Sequence, residues 1–107
     1  MSIEIITEFL TNSSVRTWAY VNKNEPSDNS LTDPTSIVCS IYDPDGATQA
    51  DEEAMSKSAI GVYYHDYHVG VSAAAMDKGR WRGEVKVTDG SGATAVISVT
   101  PFSFKVR

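Results

Sequence analysis

The stretch 33-DPTSIVCSIYDPDG-46 decides how this chain folds. Asp33-Pro34 opens it with a turn. Residues 36–42 then alternate, Ile37, Cys39 and Ile41 to one side and Ser36, Val38, Ser40 and Tyr42 to the other. Asp43-Pro44-Asp45-Gly46 closes it, because Pro presets φ for the first central residue of a turn and Gly takes positive φ at little cost. A half-buried β-strand between two turns follows from this pattern.

The same grammar repeats in both directions. Residues 3–10, with Ile3, Ile5 and Ile6, read as a first strand at a sheet edge, a short helix being the alternative, since Glu4, Glu8 and Leu10 all suit one. Thr11-Asn12-Ser13-Ser14 marks a turn. Residues 15–21 alternate in two admissible registers. One puts Val15, Thr17, Ala19 and Val21 in the core, with Arg16, Trp18 and Tyr20 outward; the other reverses every side chain, because a one-residue shift flips a strand. Residues 22–35 are polar and turn-rich, a surface connection. Residues 47–60 predict a loop with one short edge strand, or one helical turn over 51–55.

Residues 61–69 predict a strand with Tyr63, His65, Tyr67 and Val69 on one face and Val62, Tyr64, Asp66 and His68 on the other. Residues 72–76 are the best helical candidate, too short to stand alone. Residues 80–88 alternate most cleanly, Trp81, Gly83, Val85 and Val87 inward and a mixture of charges outward, as a solvated sheet face requires. Asp89-Gly90 signals a hairpin. The last strand, 93–106, carries Pro101, which confines it to an edge or a bulge. About seven short antiparallel strands without a long helix predict an all-β, immunoglobulin-like sandwich. Its core is expected at Ile37, Ile41, Tyr63, Trp81, Val85 and Val87.

Bulk properties limit function. The 107 residues suffice for a single domain, 1–107, with 1–14 as an N-terminal arm or edge strand. A net charge of −5 disfavours nucleic acid as a partner. One cysteine, Cys39, excludes an intrachain disulfide; on an apolar face it reads as packing, not as a reactive thiol. The N-terminus lacks the pattern of a signal peptide, and no stretch approaches the roughly 20 apolar residues of a membrane span, so no membrane partner is expected.

Catalytic and metal chemistry is not announced. Asp43 and Asp45 begin like a calcium loop, but Ala47 stands at the next ligand position, and the turn reading suffices. His65, Asp66 and His68 could suggest a metal, but the two histidines point to opposite faces of a regular strand and cannot chelate one ion; His65, facing inward, is expected near the sheet's end or hydrogen-bonded to a neighbour. No nucleophile elbow or phosphate loop is present. No enzyme activity, cofactor or metal is expected. The one feature suited to binding is aromatic. In the first register of 15–21, and with 61–69 in the same sheet, Trp18, Tyr20, Tyr64 and His68 form an outward contact surface, since exposed aromatic patches mark interfaces. Such a surface serves protein docking or the stacking of a sugar.

The punctuation also carries a resemblance. A Val-Arg-x-x-Ala strand from Val15, Asp33-Pro34-Thr35-Ser36, Asp43-Pro44-Asp45-Gly46, Gly61-Val62-Tyr63, Gly79-Arg80-Trp81-Arg82 and a final Phe104-Lys105-Val106-Arg107 resemble small immunoglobulin-like structural proteins of tailed bacteriophages and prophages. The resemblance runs from about residue 15 to 107. It implies core positions at Val15, Thr17, Ala19 and Val21, hence Trp18 and Tyr20 outward, where the family commonly has polar residues. It also implies a virion component of capsid-decoration, head–tail or tail accessory type, present in the host cytoplasm during assembly, whose partners are other virion proteins or further copies of itself.

Overall fold

The computed structural model describes residues 2–11, 14–23, 27–68, 78–90 and 92–106. Among these residues eight strands follow in chain order: β1 Ser2–Thr11, β2 Ser14–Asn22, β3 Ser36–Tyr42, β4 Thr48–Ala54, β5 Ser56–Ala59, β6 Val62–His68, β7 Gly79–Asp89 and β8 Val96–Val106. They form two antiparallel four-stranded sheets, ordered β1-β2-β6-β5 and β4-β3-β7-β8. These are the A-B-E-D and C′-C-F-G sheets of an immunoglobulin-like sandwich. The helix candidate at 72–76, and Val69, lie outside the described residues.

The core sits between the sheets and is built by alternation. Val15, Thr17, Ala19 and Val21 of β2 are fully buried, so the first register is the one adopted. Ile37, Cys39 and Ile41 of β3, Tyr63 of β6, and Trp81, Val85 and Val87 of β7 complete it, with Phe104 of β8 stacked on Trp81 at 5.9 Å. Gly83 makes room for this packing: a Cβ there would lie 2.2 Å from Cζ of Phe102 on the neighbouring strand. Glycine in a strand often marks such a close approach.

Residues 47–60 differ from expectation. They form two edge strands instead of one, with no helical turn at 51–55, which brings the strands to eight. The buried Met55 lies at the junction, where the chain leaves the second sheet and enters the first, and its N–H donates to the carbonyl of Ile37 at 3.2 Å. β4 is bulged against β3, and Glu52 takes φ 46° in the bulge. Its N–H donates to Oγ of Ser40 at 2.9 Å, which explains why this polar residue of β3 is buried.

Asp33 ties the loop before β3 to the other sheet. Its Oδ1 accepts from the N–H of Gly61 and the hydroxyl of Tyr63, both at 2.8 Å, and its Oδ2 accepts from Nζ of Lys57 at 2.6 Å. These bonds, Gly61 foremost, hold the carboxyl down at about 2. Burial, with the Asp33 charge beside it, pushes the Tyr63 phenol up to about 12.

Candidate functional site

Pairing of β2 with β6 assembles one outer face. Cross-strand partners are Tyr20 with Val62, Trp18 with Tyr64, Arg16 with Asp66 and Ser14 with His68. Glu4, Ile6 and Glu8 of β1 continue the rows beyond Tyr20, Trp18 and Arg16. Trp18, Tyr20 and Tyr64 are half-buried, and His68 and Ile6 are exposed. The sandwich core is complete without any of them.

The centre of this face is a fixed array. The Trp18 and Tyr64 rings lie 5.5 Å apart at 49°. The Arg16 guanidinium sits 4.7 Å from the Tyr64 ring centre and 5.6 Å from that of Trp18, positions at which a cation is drawn to an aromatic face. It is held there by a two-pronged bond to Asp66, Nε to Oδ1 at 2.6 Å and Nη2 to Oδ2 at 2.8 Å. The hydrogen bond from Arg16 holds the Asp66 carboxyl below its ordinary range. Nε1 of Trp18 donates to Oε1 of Glu8 at 2.8 Å, fixing the indole on the other side.

The sequence-predicted residues are therefore brought together unevenly. Trp18 and Tyr64 touch, and Tyr20 is the next outward residue along β2. His68 shares the face but stands beyond the Arg16–Asp66 pair, about 13 Å along β6 from Tyr64. Arg16, Asp66, Glu8 and Ile6 belong to this face but not to the contact surface expected from the sequence. Arg16 and Asp66 do lie on the outward rows of the two strands, but their pairing emerges only once β2 and β6 are neighbours.

The other candidate polar residues stand away from this array. Oδ1 of Asp43 accepts from the N–H of Asp45 and Ala47, and its Oδ2 from Nε2 of Gln49, so this carboxylate shapes its own turn. His65 points inward and bonds through Nε2 to Oε1 of Glu53 at 2.7 Å, whereas His68 points out. Burial, then the charge of Glu53, pushes the Cys39 thiol up to about 12, so no thiolate forms at neutral pH. No helix of the described residues is long and apolar enough to cross a membrane. Comparison of the chain with protein-family models, curated proteins and solved structures finds no match in any of the three.

Proposed function

We propose that this protein is a non-enzymatic structural component that docks a neighbouring subunit onto the outer face of its first sheet. Following the resemblance of its turn and strand motifs, the assembly is the particle of a tailed phage. The observation that carries the docking reading is the Trp18–Tyr64 pair, held in place by Arg16, Asp66 and Glu8 yet contributing nothing to the core. An apolar centre of Ile6, Trp18 and Tyr64 with a charged rim is the ordinary anatomy of a protein interface. A sugar-binding platform fits less well. A sugar ring stacks on one open, flat aromatic face, whereas Arg16 covers Tyr64 and the two rings are tilted to each other.

The test is Trp18→Ala. Stability should fall by about 1 kcal/mol, the size of a cross-strand aromatic pair, and the symmetric oligomers expected of the parent protein in mass photometry should be absent from the variant. A loss of several kcal/mol would make Trp18 a core residue. A parent protein that stays monomeric and binds an oligosaccharide saturably would replace docking with carbohydrate recognition.

A further inference from the structure

A second, independent feature lies on the outer face of the other sheet. Of nine Lys and Arg residues, all but Arg107 are described. Arg16, Lys23, Lys57 and Lys86 each meet an Asp or Glu oxygen at 2.6–3.0 Å. Lys78, Arg80, Arg82 and Lys105 meet no carboxylate among the described residues, and all four are exposed. The unpaired cations are thus gathered at one place, where β7 begins and β8 ends.

Their arrangement is repulsive as it stands. Arg80 lies directly opposite Lys105 in the antiparallel register, and like charges in that position destabilise a sheet. Arg82 follows on the same face, about 7 Å along the strand. The Arg80 guanidinium is steadied by a hydrogen bond from Nη1 to Oγ of Ser103 at 3.1 Å. Tyr42 stands opposite Arg82 on β3. A shallow hollow of about 430 Å³ is lined by both arginines together with Tyr42, Glu84, Pro101 and Phe102.

We infer that this end of the second sheet binds an extended acidic peptide segment of the form acidic-x-acidic-x-apolar. Alternate side chains of an extended chain repeat at about the 7 Å spacing of Arg80 and Arg82. Each carboxylate then meets a guanidinium fork, which suits planar bidentate recognition. The third outward residue falls on the hollow beside Tyr42 and Pro101. The bound carboxylates also neutralise the Arg80–Lys105 repulsion. Glu84 at one border, and Asp43 and Asp45 at the other, limit the patch to two anionic groups. A long polyanion such as nucleic acid would run on from it into the acidic remainder of a chain of net charge −5.

The probe is a fluorescein-labelled Asp-Ala-Asp-Ala-Phe peptide titrated with the whole protein and followed by anisotropy. Saturable binding is expected, weakening as salt is raised. Arg82→Ala and Arg80→Ala should each weaken it about tenfold, Lys57→Ala should leave it unchanged, and the Asn-Ala-Asn-Ala-Phe analogue should not bind. Absence of binding at about 1 mM protein, equal binding of the Asn analogue, or indifference to both arginine variants would overturn the site. A single-stranded oligonucleotide that bound more tightly with the same arginine dependence would overturn the peptide as its ligand.

Discussion

Gly83→Ala tests the packing of this sandwich at its tightest point. The added methyl would sit 2.2, 2.5 and 2.7 Å from Cζ, Cε1 and Cε2 of Phe102. Carbon atoms rest about 3.5–4.0 Å apart, so the ring must withdraw by roughly 1.5 Å. Its retreat is not free, because Phe102 is stacked on Phe104, and Phe104 on Trp81. Overpacking of this kind costs about 1–3 kcal/mol, and Ala recovers about 0.5–1 kcal/mol over Gly through lower chain entropy. The net expectation is a loss of about 1–2 kcal/mol, or a fall in Tm of roughly 5–15 °C for a domain of this size. Urea unfolding of Gly83→Ala, Phe102→Ala and the double variant would measure it. Once the ring is gone the added methyl should cost nothing, giving a coupling above about 1 kcal/mol. Additivity of the two changes within about 0.5 kcal/mol would refute the claim that the ring occupies the glycine's missing side chain.

Two further predictions concern the tie between the sheets. Gly61 has φ 70°, and a Cβ there would stand 2.7 Å from the carbonyl oxygen of Val21 and 2.9 Å from the nitrogen of Thr32; Gly61→Ala should therefore cost about 2–4 kcal/mol in thermal unfolding. Gly46→Ala, also at positive φ but with nothing within 4 Å, should lose only about 1 kcal/mol, and equal losses would refute the steric argument. Asp33 has its folded-state carboxyl at about 2, below the unfolded value of 3.8. The stability it contributes is thus complete above about pH 4 and lost as pH falls from there towards 2. Asp33→Asn should flatten that part of the acid limb in denaturant titrations at stepped pH, and a limb as steep as the parent's would show that Asp33 contributes nothing to it.

What the sequence disclosed follows from burial geometry. β2, β3 and β7 each face a filled interior on one side, so period-two alternation is imposed on their residues, and Ile37, Trp81 and Val85 could be placed at once. Even so, the residues alone leave β2 with two registers, and it is the packing of the two sheets that selects the one burying Val15 and Val21. β4 and β5 were illegible for the converse reason. They are edge strands in which only Ala50 is buried, with Met55 between them, so no alternation is written into Thr48–Ala54. The outer-face array was half visible. Trp18, Tyr20 and Tyr64 announce themselves by type, but the fork from Arg16 to Asp66 joins residues 50 apart in the chain, and its partners are fixed only by sheet order. The outward arginines of β7 likewise pass for ordinary solvated charges, since which cations find a carboxylate is a property of the assembled surface.

The crossing at Met55 gives the sandwich a handedness of strength. Along that side the two sheets are bound covalently, as the leaves of a book are at the spine. Along the other side β1 and β8 meet through side chains, the edge of Phe9 standing 6.0 Å from Phe104, and among the described residues no strand pairing joins them. A load that pries the leaves apart is concentrated at the open margin, while the spine holds its register. The margin formed by β1 and β8 is therefore the one that can part without breaking the β2–β6 or β3–β7 ladder.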